Sequence, residues 1–234
     1  MNNQANPPAE SISFEHVSFS YGGRRGRTHR ILRDVSFSAG SGECVVIAGT
    51  NGSGKSTLLS LAAGILKPTG GRIRINGRIG YVPQGSALLE DATVAENLKF
   101  FSDLAGAAIP DPLPFEVGSW LGKRVSTLSG GMKKQVSIAC AMAGDPEIFL
   151  LDEPCGALDI RFRDALAGLI AEWKANGKTV LYIGHEPSEF ASFCDRFLFL
   201  TRNGSVPVFR EVPRDENALR ELMISLTQIT EVTE

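Results

Sequence analysis

The sequence predicts an α/β fold, a mostly parallel sheet covered by helices on both faces. Short apolar runs at residues 44–48, 148–153, 179–184 and 196–200 read as central strands, because a strand buried on both faces has no solvent side to alternate with. Helix-like segments follow the first two of these runs, the order that parallel strands with helical crossovers require. A glycine-rich loop over 49–54 joins the first run to the first helix, at the strand end where open parallel sheets take their ligands.

Taken in order, residues 1–10 are polar, contain two prolines and are expected to be disordered. Residues 13–19 and 31–37 alternate apolar and polar positions and read as half-exposed strands. A glycine- and arginine-rich hairpin connection over 22–30 joins them, its charge read as solvating the loop. Residues 56–63 form the first helix, and 64–71 end it and turn the chain. Residues 72–77 and 79–84 are strands, the second ending on Gln84. From 93 to 104 the pattern is helical, with Val94, Leu98, Phe101 and Leu104 on one face. Residues 105–118, rich in Pro, Gly and Ala, read as a connection. Ser129 is placed to cap a helix that opens at Gly130 and Gly131 and runs to about 143. Asn176 and Gly177 stop the helix over 160–175. Residues 215–229 are a final helix.

The 234 residues are 43% hydrophobic and 21% charged, enough apolar material for a core. A net charge of −2 gives no electrostatic case for a nucleic-acid partner. No apolar run approaches the ~18 residues that span a bilayer. Residues 1–10 have no signal-peptide core. The chain is therefore expected in the cytoplasm, with any membrane role coming through a partner. Cys44, Cys140, Cys155 and Cys194 form no C-x-x-C pair, so they read as core residues and not as a zinc or redox site. Cys155 is the nearest to the expected site and is also read as structural, since no cation is placed to lower its pKa.

Residues Gly49, Thr50, Asn51, Gly52, Ser53, Gly54, Lys55, Ser56 and Thr57 fit the phosphate-loop pattern G-x-x-x-x-G-K-[ST]. Strand, glycine loop and helix N-terminus together aim backbone N–H groups at one point, a cradle for phosphate. Gly52 and Gly54 let the backbone turn tightly. Lys55 supplies positive charge for the β- and γ-phosphates, and Ser56 an oxygen for Mg²⁺. The buried run 148–151 ends on Asp152, placed to hold Mg²⁺ with Ser56. Glu153 follows and is the candidate to polarise the attacking water. A glycine turn that binds nothing, or two carboxylates that merely face solvent, fits this context poorly.

With Leu128, Ser129, Gly130, Gly131 and Met132, the chain resembles the nucleotide-binding subunits of ABC transporters, whose signature is L-S-G-G-Q. Other family marks fall in order around it: Tyr21, Gln84 after Tyr81-Val82-Pro83, Ala157-Leu158-Asp159, and His185. The resemblance covers about residues 11–205. It implies an ABC-type P-loop fold with an antiparallel β subdomain and a short helical subdomain at about 86–143. Residues 206–234 would be a helical C-terminal extension. It implies an ATPase using ATP and Mg²⁺, acting as a head-to-tail homodimer, or a heterodimer with a similar subunit. Such a dimer serves a separate membrane permease and sits on the cytoplasmic face through it. By the same resemblance Tyr21 stacks on adenine, and Gln84 touches Mg²⁺ or the water. Ser129, Gly130 and Gly131 meet the γ-phosphate held by the partner. Asp159 lies at the dimer seam, and His185 donates to the γ-phosphate. Met132 replaces the usual Gln and cannot donate a hydrogen bond, yet the anion contacts fall to Ser129 and backbone N–H groups. The Gly-Gly-Met-Lys-Lys run and residues 93–101 resemble exporter-type ATPases, so export is expected over import.

The rival reading is an ABC ATPase of DNA repair or of the ribosome. The repair type carries a long coiled coil between phosphate loop and signature, and this chain has only a short segment there without sustained heptads. The ribosome type carries two cassettes in one chain. A plain P-loop kinase or GTPase has no need of residues 128–131.

Overall fold

A computed structural model describes residues 10–22, 28–156, 159–201, 208–209, 212–213 and 215–232. The disorder expected before Glu10, the middle of the arginine-rich connection and the Ala157-Leu158 pair lie outside these residues. Glu10 itself is ordered, as the first residue of β1.

Two sheets form the frame. β1 (Glu10–Gly22) lies between β2 (Thr28–Gly40) and β4 (Gly70–Ile75), antiparallel to both. The hairpin arms pair from Glu10↔Gly40 to Gly22↔Thr28, beyond their apolar cores, and the register shifts at several bulges between, one of them around His16 with φ 50°. The second sheet has the order β5 (Ile79–Val82), β6 (Ile148–Asp152), β7 (Thr179–Ile183), β3 (Cys44–Gly49), β8 (Arg196–Leu200) and β9 (Val208–Phe209). All its pairings are parallel except that β9 runs antiparallel on β8. Every residue of β6 and β7 is buried, as their unbroken apolar runs require.

Helices cover that sheet. On one side, α1 (Lys55–Ala62) packs with the antiparallel sheet over Val45, Ile47, Leu150, Leu181 and Leu198. On the other, α4 (Ile160–Ala175), the short α5 (Pro187–Phe190) and α6 (Glu216–Val232) lie over Val46, Phe149, Leu151, Tyr182 and Phe197. Alternation of side chains about the strands sends neighbouring residues into opposite cores. Trp173 of α4 is 3% exposed, and its ring stacks on Phe149 with centroids 3.6 Å apart. Trp173→Ala is expected to cost about 3–5 kcal/mol of stability; a urea-unfolding curve shifted by less than about 1 kcal/mol would contradict that packing role.

A third cluster is built locally. α2 (Val94–Ala105) and α3 (Gly130–Ala141) enclose Leu88, Val94, Leu98, Val117, Val125, Leu128 and Val136. Thr93 and Glu96 cap α2 reciprocally: the Thr93 hydroxyl accepts from the Glu96 N–H, and the Glu96 carboxylate accepts from the Thr93 N–H. Buried Asn97 ties α2 back to the preceding loop through both Leu89 backbone groups. The expected inward face is right for Val94 and Leu98, but Leu104 is 69% exposed. At 100° per residue it stands roughly 80° round the helix from Val94, past the edge of the buried stripe. Among the described residues no helix is long and apolar enough to cross a membrane.

Candidate functional site

The phosphate loop leaves β3 at Gly49 and enters α1 at Lys55. Two of its glycines are obligatory. Gly49 has φ 145°, and a Cβ there would stand 2.2 Å from the Leu200 carbonyl oxygen on the neighbouring strand. Gly54, the residue before α1, has φ 101°, and a Cβ would meet Ile31 at 2.6 Å. The Thr50 and Ser53 hydroxyl oxygens are buried in this loop with no hydrogen-bond partner among the described residues.

The other groups gather at the C-terminal ends of β5, β6 and β7. A cleft of about 570 Å³ is lined by Ile31, Asn51, Gly52, Gly54, Lys55, Ser56, Thr57, Gln84, Glu153 and His185. That size suits a nucleotide-sized ligand. A slightly larger cavity of about 610 Å³ shares none of these lining residues and lies between residues 107–114 and α4.

Within the cleft the charges are arranged in pairs. The Lys55 ammonium donates to the carbonyls of Gly49 and Thr50 at 2.9 and 3.2 Å, bracing the loop across its mouth. Burial draws its pKa down, and the charges of Glu153 and Asp152 oppose that. Asp152 is 2% exposed, and the Ser56 hydroxyl donates to its carboxylate at 3.3 Å. Burial raises the Asp152 pKa, with the Ser56 hydrogen bond and the nearby lysines opposing and Glu153 adding to the rise.

Glu153 stands one residue beyond β6 with φ 48°, a left-handed backbone costing roughly 1–2 kcal/mol for a side chain of this kind. Its N–H donates to the Ile183 carbonyl at 3.2 Å, so the turn is anchored to β7. One carboxylate oxygen accepts from the Gln84 amide at 2.9 Å. The other lies 2.5 Å from His185 Nε2. Toward an ionised carboxylate, which only accepts, Nε2 is the donor. Gln84 and His185, expected from the resemblance to address metal, water and phosphate, thus meet each other through Glu153.

The remaining expected residues lie elsewhere. Tyr21 is 46% exposed, sits edge-on to Phe19 and brings its hydroxyl to 3.5 Å from Thr57 Oγ1, outside the residues that line the cleft. Ser129 caps α3 by accepting from the Met132 N–H at 3.3 Å, and it lies with Gly130 and Gly131 away from the cleft. Asp159 caps α4, accepting from the Phe162 N–H at 2.9 Å. Cys155 is buried beside this region, and burial pushes its thiol pKa up, as it does for Cys44 and for Cys140, the last to about 12. They are core residues, as expected. Sequence reasoning missed Lys134 of α3, whose ammonium reaches the carbonyls of Pro83 and Gln84; a lysine in an ordinary helix gives no sign of that. It also missed Ile31, a plain strand residue that walls the cleft.

The donor set fits Mg²⁺. Asp152 and Ser56 offer hard oxygens side by side, and no group of three or more His, Cys, Asp or Glu suited to a metal occurs among the described residues. One carboxylate plus substrate phosphates is the usual holding of this ion. Bound there, Mg²⁺ supplies positive charge to the phosphate oxygens.

A parallel sheet with a phosphate cradle, a metal-type carboxylate and a second carboxylate beyond it defines a nucleoside-triphosphate-hydrolysing P-loop protein. Residues 32–156 match the family model described as ABC transporter. The taurine import ATP-binding protein TauB of Burkholderia pseudomallei is 38% identical, over 80% of this chain and 78% of that one. The Nod factor export ATP-binding protein I of Paraburkholderia xenovorans is 35% identical, over 81% of this chain and 67% of that one. Among solved structures, a dimeric post-hydrolysis state of the ATP-binding cassette MJ0796 bound to ADP and Pi superposes with a TM-score of 0.69 and 25% identity, over 85% of this chain and 98% of that one. The chain belongs to the ABC transporter family and is an ATP-binding, ATP-hydrolysing subunit that works with Mg²⁺.

Proposed function

We propose that this chain powers an import system: two copies close head to tail on two ATP molecules, and a separate membrane permease takes up the motion. The observation that carries the catalytic half is the meeting of Gln84, Glu153 and His185 in the cleft above Lys55 and Ser56. Lys55 and the loop N–H groups hold the phosphates. Ser56 and Asp152, with Gln84 at the edge, hold the metal. Glu153 takes the proton of the attacking water, and His185 and Gln84 fix its carboxylate. Tyr21, near Thr57, offers its ring to the adenine.

The placement of Ser129, Gly130 and Gly131 away from their own cleft supports a role toward a second copy. Their helix N-terminus carries N–H groups suited to phosphate, and Asp159 stands at the same seam. Mixing Ser129→Arg and Lys55→Ala subunits is expected to restore one intact composite site, about a quarter to a half of wild-type turnover at equal mixing. Each variant alone stays near background, and the absence of rescue in a phosphate-release assay counts against a shared interface.

A groove of about 270 Å³ between β5, α2 and α3 supports the permease contact. Phe101 and Leu104 line it, and Leu104 exposes apolar surface there. Residues 86–143 then form the helical subdomain that carries this surface, within an ATPase domain of residues 11–205, and 206–234 an extension. The chain would lie on the cytoplasmic face through this contact.

The direction differs from the export expected from the Gly-Gly-Met-Lys-Lys run. The importer relative is the more similar of the two, and the exporter relative shows that the cassette itself serves both directions. ATP-dependent uptake of taurine, used as the first probe, into vesicles bearing the chain and its co-purified permease supports import. ATP-dependent efflux overturns it.

A further inference from the structure

The two lysines that follow the signature do different work. Lys133 is half-buried and pairs with the carboxylate of Glu90 at 2.6 Å. Lys134, one residue on, points inward from α3. Its ammonium donates to the Pro83 carbonyl at 2.8 Å and to the Gln84 carbonyl at 3.0 Å. Burial draws its pKa down, while the charges of Asp152, Glu153 and Cys155 oppose that.

These contacts fall where the backbone has little else to hold it. β5 ends at Val82, and Pro83 has no N–H to extend the ladder. A charged donor on two successive carbonyls is a strong local constraint, because charge-assisted hydrogen bonds exceed neutral ones. The consequence runs onward in single contacts. Gln84 is held at its carbonyl by α3, its amide donates to Glu153, and Glu153 meets His185. Lys134 stands four residues after Gly130, so it lies one turn into the helix that Ser129 caps. A tilt of α3 against the sheet therefore pulls directly on the turn that carries Gln84.

We propose that Lys134 is a positioning residue for ATP hydrolysis. By clamping the Pro83 and Gln84 carbonyls it keeps the Gln84 amide on Glu153 and ties the orientation of the signature helix to the setting of that carboxylate. The proposal rests on the reading of Glu153 as the hydrolytic carboxylate. The proposed link differs from a packing role because it acts through one carbonyl pair and one amide, so its loss shows in the chemical step.

The test is steady-state ATPase kinetics of the full chain. Lys134→Met keeps the length of the stem and removes the donors. It is expected to lower kcat about 10–100-fold, the scale of a misplaced catalytic group, with KM and nucleotide affinity within about twofold of wild type, as expected when only the chemical step is affected. Lys134→Arg, whose planar fork can span both carbonyls, is expected to recover most of the loss. In a Gln84→Ala background, Lys134→Met is expected to change kcat by less than about twofold, because both substitutions cut one link. Should the methionine variant fail to fold, Lys134→Gln replaces it: its amide is polar but too short to bridge both carbonyls. Wild-type kcat, a change confined to KM, an arginine variant as slow as the methionine one, or losses that multiply with Gln84→Ala each overturn the proposal. Glu153→Gln measured alongside separates the two claims. If that variant is inactive while Lys134→Met is unaffected, only the positioning role fails; if it turns over normally, the reading of Glu153 fails first.

Discussion

Glu153→Gln is expected to slow ATP turnover by about 10²–10⁴-fold, the usual contribution of a general base. The substitution changes little else. Glutamine has the same shape, and its carbonyl oxygen can still accept from His185 Nε2, which now lies 2.5 Å from the carboxylate. The Gln84 amide can turn over to meet the new NH₂ group, so the chain of contacts persists. The left-handed backbone at φ 48° is retained, and so is its cost. The melting temperature should therefore stay within a few degrees, the span of about 1 kcal/mol for a chain of this size. What is lost is the ability to take a proton. With binding intact and turnover blocked, MgATP should hold two copies together, visible as a dimer by size-exclusion chromatography. Phosphate release at the wild-type rate would show that another group activates the water.

Lys55→Ala acts at the other end of the reaction coordinate. It should weaken ATP binding about 10–100-fold, equivalent to losing a hydrogen bond between charged groups of about 1.5–3 kcal/mol. The structure gives two reasons for a loss of this size. Lys55 is 6% exposed as a residue, so water screens it little. It also braces the loop through the Gly49 and Thr50 carbonyls, and a methyl group there leaves both without that donor. Asp152 and Glu153 lose one of the cations that offset their charge and should repel the incoming triphosphate more strongly. Titration calorimetry separates the outcomes. Unchanged affinity would defeat the assignment of Lys55 as a phosphate ligand, and a loss of binding with an unchanged melting temperature would support it.

Much of this arrangement can be read locally. The phosphate loop, the acidic end of β6 and the cap at Ser129 depend on near neighbours in the chain. So do the bounds of α4 and β7, set by Asn176, Gly177 and an unbroken apolar run. Other features could not be read this way. Leu104 fits a helical stripe in sequence, yet it is exposed because the stripe is narrower than the pattern allows. Asn97, an ordinary polar residue in sequence, is fully buried because the loop before α2 folds back onto it. Ile31 and Lys134 reach the site only because β2 and α3 pass beside it.

The amino-acid order alone determined that this protein grips phosphate. Cradle, lysine and hydroxyl are consecutive, so their chemistry is set by covalent neighbours and by helix geometry. It also determined the α/β class, because periodicity and burial are coupled residue by residue. The tertiary structure decided how the Glu153 carboxylate is held. Gln84, Glu153 and His185 stand just past the ends of three different strands, β5, β6 and β7, and only the parallel order of those strands brings their ends together. Contacts between residues 69 and 32 positions apart depend on long-range packing, whose free energy no local pattern encodes.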